Sequence, residues 1–197
     1  VAIGAFAASL TTTGVSNVAI GAYDGTLVGA LRTNVVGSFN IAIGTAALAL
    51  VNENDNDGSI AIGHKAGTRK AGTGGDQYSK ASVHIGFASG AAQTTGANNT
   101  SVGHASMAGN ATGTALTGSN NTVMGYSSGY AMSGAAASNV YIGSNTANSI
   151  TSGTNNVVIG DLALSTADGA ESNNIAIGMS AMLSVTGNTS EKNIAIG

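Results

Sequence analysis

One tetrapeptide recurs eleven times along the chain, in the order β-branched residue, variable residue, aliphatic residue, glycine. The copies end at Gly4, Gly21, Gly44, Gly63, Gly86, Gly103, Gly125, Gly143, Gly160, Gly178 and Gly197, at intervals of 17, 23, 19, 23, 17, 22, 18, 17, 18 and 19 residues. A period of this length means a repeat architecture and overrides any reading based on isolated segments. The first residue is β-branched in every copy (Val1, Val18, Ile41, Ile60, Val83, Thr100, Thr122, Val140, Val157, Ile175, Ile194). The third is Ile, except for Val102 and Met124. The second varies and includes Ala2, Ala19, His84, Ser101, Val123 and Tyr141.

Positions outside the tetrapeptide repeat as well. Four before Gly stands Asn or Ser: Asn17, Asn40, Ser59, Ser82, Asn99, Asn121, Asn139, Asn156, Asn174 and Asn193. Three after Gly is small in nine of ten repeats, with Asp24 the exception. Alternation with period two marks a short strand with one buried face, and β-branched residues suit a pleated surface. The expected buried pair is the first and third residue, with the middle residue facing outward or toward a neighbouring chain. The Gly supplies a backbone angle that other residues resist, or lets another backbone approach. Asn or Ser ahead of the strand suits a turn. The small residue after Gly marks a tight corner.

Such a strand cannot bury its face alone. Stacked coil on coil, the Val/Ile pairs form one slender apolar column. The expected fold is therefore all-β: a parallel β-solenoid, or β-roll, of about ten coils of 17–23 residues in a single domain over 1–197. At ~4.8 Å per coil, ten steps give a rod roughly 48 Å long. The longest intervals place loops over Tyr23–Val36 and Thr68–Lys80. A helical reading fails because Gly and β-branched residues are poor helix formers and no 3.6-residue period is present.

Composition agrees with a thin core. The chain has 30 Gly, no Pro, no Cys and no Trp, and only 8% charged residues. Its mean hydropathy of +0.21 is too high for a disordered chain. A net charge of −3 offers no basic surface for nucleic acid. No run of ~18 apolar residues predicts a membrane-spanning helix, so no membrane insertion is expected here. The repeat is already under way at Val1 and still running at Gly197. The chain is therefore expected to be an internal segment of a longer fibrous protein.

The motifs carry a resemblance over the whole chain. Asn-Val-Ala-Ile-Gly at 17–21 and Asn-Ile-Ala-Ile-Gly at 40–44, 174–178 and 193–197 resemble the head repeats of YadA-like trimeric autotransporter adhesins. That family forms trimers of parallel β-rolls. The longer stretch Gly153-Thr-Asn-Asn-Val-Val-Ile-Gly-Asp-Leu-Ala-Leu164 is similar to bacteriophage tail-fibre repeats. The intervals of 17–23 residues are longer and less regular than the adhesin repeat of about fourteen, which favours the fibre. The resemblance implies a homotrimeric structural fibre in the extracellular space, on a virion tail or, alternatively, a bacterial surface. Its partners would be copies of itself, a host receptor or glycan, and other virion or surface components. It implies no cofactor and no catalytic residue.

Residue-level chemistry points the same way. His64 and His104 both follow a repeat Gly, but two coils apart, ~10 Å and too far for one ion. His84 at an outward position would meet symmetry copies only on a trimer axis. Glu53, Asp55 and Asp57 alternate with Asn before Gly58, but no later bidentate Glu completes a calcium loop. Glycan hydrolysis needs two carboxylates facing one groove, and the nine acids do not recur at one coil position. No enzyme activity, metal site or cofactor site is expected. If receptor binding occurs here, the candidates are the loop residues Tyr23, Arg32, Lys65, Arg69, Lys70 and Tyr78 and the outward Tyr141. Phe87 and Tyr126, just after their strands, come second.

Overall fold

A computed structural model of the chain describes residues 1–23, 25, 28–49, 57–68, 81–91, 93–109, 115–167, 169–185 and 192–197. Eleven short strands fall on the eleven tetrapeptides: β1 (Ala2–Ile3), β2 (Val18–Ile20), β3 (Ile41–Ile43), β4 (Ile60–Ile62), β5 (Val83–Ile85), β6 (Thr100–Val102), β7 (Thr122–Met124), β8 (Val140–Ile142), β9 (Val157–Ile159), β10 (Ile175–Ile177) and β11 (Ile194–Ile196). They form one parallel sheet in sequence order, β1 to β11. The register is the repeat itself: Ile41 pairs with Ile60, Ala42 with Ala61, Ile43 with Ile62. The fold is a parallel β-solenoid with one strand per coil, and no helix occurs among the described residues.

Glycine closes each strand because the next coil leaves no room for a side chain. Gly125 has φ +128, and a Cβ there would lie 2.2 Å from the Gly143 carbonyl oxygen of the following coil. The same approach repeats down the column. After the glycine the chain turns at once: the Ala47 N–H bonds the Gly44 carbonyl at 3.1 Å, and Ala46 between them has φ 59. This is type II turn geometry, with a left-handed residue at its third position. A second left-handed residue precedes every Asn or Ser, at 16, 39, 58, 81, 98, 120, 138, 155, 173 and 192. Three residues of strand between two such corners wind the chain back on itself.

The expected assignment of strand faces is corrected by the structure. The middle residue of the tetrapeptide is the buried one: Ala19, Ala42, Ala61, His84, Ser101, Val123, Tyr141, Val158 and Ala176 are all sealed inside. The β-branched and aliphatic residues on either side point out, as the intermediate–buried–intermediate or intermediate–buried–exposed pattern of β2 to β10 records. The Val/Ile side chains do stack into columns, but on the outer surface. Space is the physical reason. The coil interior is filled by the middle residue and by the third and fourth residues after Gly, which leaves the two flanking Val/Ile side chains of each strand outside.

Packing inside is a volume exchange between the middle residue and the residue four after Gly. Leu48 fills the space left by small middle residues, in one apolar cluster with Ala42 and Ala61. Beside the two bulkiest middle residues, His84 and Tyr141, stands a glycine. A Cβ on Gly90 would lie 2.1 Å from His84 Nδ1, and one on Gly129 3.1 Å from Tyr141 Cδ2. Close packing of this kind leaves little tolerance for added volume.

The Asn row forms a buried ladder. Asn139 Oδ1 accepts the Asn156 backbone N–H at 3.0 Å and its Nδ2 at 3.1 Å, while Asn139 Nδ2 donates to the Gly153 carbonyl at 2.9 Å. Each such side chain satisfies backbone groups of the next coil that would otherwise be buried and unpaired.

Candidate functional site

The feature with most potential for recognition is the outer face of the sheet. Its two side-chain rows run the length of the rod, one from Val18 to Ile175 and one from Ile20 to Ile177. In the second row Ile62, Ile85, Met124 and Ile142 are 37–39% exposed. The bare glycine column follows this row in sequence. Beyond the column stands a third row, the first residue after each Gly.

In mid-rod that third row is aromatic. His64, Phe87, His104 and Tyr126 stack on successive coils, with centroid distances of 5.0, 5.0 and 5.4 Å and interplanar angles of 16°, 8° and 23°. One coil step sets this spacing. Because the inner ring faces cover one another, the ladder offers ring edges to solvent, not an open stacking platform. Phe87 separates the two histidines, so they cannot share an ion. No group of three or more metal-ligating side chains occurs among the described residues.

A second feature lies at the same post-glycine corner, on the first coils. Phe6 and Tyr23 both stand two after a repeat Gly and meet edge to face at 5.7 Å and 82°. With Val28 and Arg32 they line an open cavity of about 400 Å3. That volume is within the ~300–1,000 Å3 range of small-ligand pockets. The Tyr23 hydroxyl donates to the Gly25 carbonyl at 2.8 Å, which fixes the ring. The structure thus brings together Tyr23 and Arg32 from the sequence candidates. It adds Phe6, which sequence reasoning missed although its coil position equals that of Tyr23.

The other candidates are not gathered there. Lys65 occupies a left-handed corner position, φ 58, on the coil that carries His64. Arg69, Lys70 and Tyr78 lie outside the described residues, as do Glu53 and Asp55 of the acidic run. Asp57 is described: its Oδ1 accepts the Ser38 N–H at 2.6 Å, so it braces a turn. Tyr141 is a correction. It was expected outward, and it is wholly buried, with no hydrogen bond of good geometry to its hydroxyl among the described residues. Burial raises its pKa far above the ordinary tyrosine value; the nearby Asn156 amide opposes this and the Glu171 charge reinforces it.

His84 is corrected in the same way. It is buried, its Nδ1 lies 2.7 Å from Ser101 Oγ, and Ser89 Oγ lies 2.6 Å from the same hydroxyl. Burial pulls its pKa down to about 4, while a hydrogen bond to the Gln93 side chain works in the opposite direction. His, Ser and Ser in contact could suggest a nucleophile and base, but the cluster is closed to solvent and no substrate can reach it. Of the other described acids, Glu171 is buried, with Oε2 accepting the Gly169 N–H at 3.2 Å, and Asp161 is exposed at its corner. No helix among the described residues is long and apolar enough to cross a membrane.

Comparison of the chain with protein-family models, curated proteins and solved structures finds no match in any of the three.

Proposed function

We infer that the chain is a rod segment of a structural fibre, a bacteriophage tail fibre working in host-cell attachment as a homotrimer. One observation carries the reading: the core is complete without the Val/Ile rows, yet those rows run along the outer face of the whole rod. The strand plane alone is roughly 48 Å by 10 Å, ~500 Å2. That is at the upper end of what soluble monomers leave uncovered, and patches of this size mark interaction sites. A repeating partner surface of equal pitch fits a repeating ladder best, and another copy of the chain supplies one. Burying the face between copies removes the apolar surface from water and stiffens the rod.

The phage reading over a bacterial adhesin head rests on the long, uneven intervals and on the resemblance of residues 153–164. The cavity of Phe6, Tyr23 and Arg32 is the candidate contact for a cell-surface glycan. Aromatic rings can pack on sugar C–H groups, and the guanidinium can bond hydroxyl or carboxylate oxygens.

Electron microscopy of the purified chain, together with its adhesion to bacterial cells and to purified cell-surface polysaccharides, tests the reading. Rods about 5 nm long per segment, with the mass of three chains and saturable adhesion weakened by Arg32→Ala, support it. A monomer that adheres to no cell or polysaccharide counts against it.

A further inference from the structure

The core of the rod is interrupted. One apolar cluster runs from Ala19 to Ala66, and a second from Met107 to Ala181. Between them the inward positions are polar. His84 and Ser101 hold the middle strand positions, and Ser89 and Ser106 hold the third position after Gly. Gln93 occupies the seventh, where later coils carry Met132, Ile150 and Ala167. Among the described residues no apolar side chain is buried between Ala66 and Ala105. The third-position row stays polar beyond these coils, at Ser128 and Thr146, so the gap in the apolar core is set by the polar middle residues His84 and Ser101, with Gln93 beside them.

Inside, the layer is joined by side-chain hydrogen bonds. Ser89 Oγ donates to the Ser101 carbonyl at 2.9 Å, Ser106 Oγ to the Val123 carbonyl at 3.0 Å, and Gln93 Nε2 to Ser82 Oγ at 2.9 Å. His84 is its one buried titratable member; His104, in the same span, is exposed in the outer aromatic ladder. Against the imidazole stand Ala61 of β4, Ser101 of β6, and Gly67, Gly90 and Gln93 from the turns. None of these carries a charge. His64 and Lys65, on the preceding corner, are half-exposed, and the His64 ring is stacked on Phe87. A proton placed on His84 therefore has no counter-charge among the described residues that pack against it.

We propose that this polar layer, residues 82–106, is an acid-triggered joint: protonation of His84 parts the rod between two apolar blocks that each stay folded. In a solenoid, coils are coupled only to their neighbours, so one weak interface divides the whole. The layer buries little apolar area and so gains little from the hydrophobic effect. It depends on a set of hydrogen bonds that a charged imidazole disrupts. An opened layer takes up a proton from about pH 6.5 downward, whereas the closed layer does not until about pH 4. Closing is therefore unaffected above that window, weakens as pH falls through it, and changes no further below it. The inference does not depend on the fibre reading.

Site-resolved hydrogen exchange on the purified chain, corrected for the intrinsic rate at each pH, tests it. The reporters are the sheet amides of Val83, Gly86 and Gly103 in the layer, and those of Ile41 and Val157 in the two blocks. The expected result is a loss of layer protection by roughly tenfold per pH unit between 6.5 and 4, with block protection retained. His84→Gln, which cannot take up the proton, is expected to flatten that dependence. Uniform loss along the rod, or loss that begins at its ends, overturns the joint. So does an unchanged pH dependence in His84→Gln. Should that variant fail to fold, the wild-type series alone still decides between loss in the layer and uniform loss.

Discussion

The side-chain amide of Gln93 donates to the hydroxyl of Ser82 at 2.9 Å, and through this contact one coil repairs a gap in the Asn ladder. At other coils the Asn amide itself reaches the carbonyl seven before the next Gly, as Asn99 does to Gly118 at 3.0 Å and Asn121 to Ala136 at 2.9 Å. Ser82 is too short. Its Oγ still accepts the Asn99 N–H at 3.2 Å, but it cannot donate to Gly96. Gln93 Nε2 makes that bond instead. Two departures from the repeat are thus one compensated pair.

This pairing predicts a rescue. Gln93→Ala orphans the buried Gly96 carbonyl and is expected to cost about 1–3 kcal/mol. Adding Ser82→Asn restores an amide from the other side and is expected to recover most of the loss. Denaturant melts of the two single variants and the double variant give the coupling. Additive losses would contradict the account.

The glycine column predicts a sharp contrast between two Gly→Ala changes. Gly125→Ala drives a methyl to 2.2 Å from the Gly143 oxygen, in a backbone that cannot retreat without breaking the sheet. A loss of ~3 kcal/mol or more is expected. Gly58 also has a positive φ, +70, but nothing stands within 4 Å of its added Cβ. Gly58→Ala should therefore cost only about 1 kcal/mol. Thermal melts of the two variants compare them directly. Equal losses would mean that backbone angle, not coil stacking, makes glycine necessary.

Tyr141 predicts a loss of stability in alkali. Its folded pKa lies above the unfolded value of about 10. The unfolded chain therefore loses a proton first, and stability is complete below about pH 10 and falls as pH rises beyond it. Tyr141→Phe removes a buried hydroxyl that makes no hydrogen bond of good geometry among the described residues and is expected to be neutral or stabilising by up to about 1 kcal/mol. It should also remove this part of the alkaline sensitivity. Melts at pH 8 and pH 11 on both proteins check the sign. A large loss in Tyr141→Phe at pH 8 would mean that the hydroxyl is bonded after all.

Much of the architecture was legible in the tetrapeptide. Strand positions, their register and the close approach at glycine follow from spacing alone, and the parallel order follows from the need of each strand for a neighbour. The facing of the strand was not legible from alternation. Period two says that one face is buried and not which one, and hydrophobicity pointed to the wrong side. A compensation across the corner carried the correct signal: Gly67 and Gly90 beside His84, Gly129 beside Tyr141, and Leu48 beside Ala42 and Ala61. Residues that exchange volume must share an interior. The same oversight placed Tyr141 among the outward candidates. Tyr23 and Arg32 were found by loop chemistry, but their meeting with Phe6 depends on the coil stacking.

The outward Val/Ile rows are the centre of the account, and the solution mass of Ile85→Glu/Ile142→Glu beside the wild-type chain tests them most directly. Both residues are 37% exposed on the outer face. Light scattering is predicted to give a trimer for the wild type and a monomer for the double variant, with β-sheet circular dichroism unchanged. Loss of the β-sheet signal in the variant would mean that these side chains hold the core. A wild-type monomer at all concentrations would mean that the face has no second copy to meet.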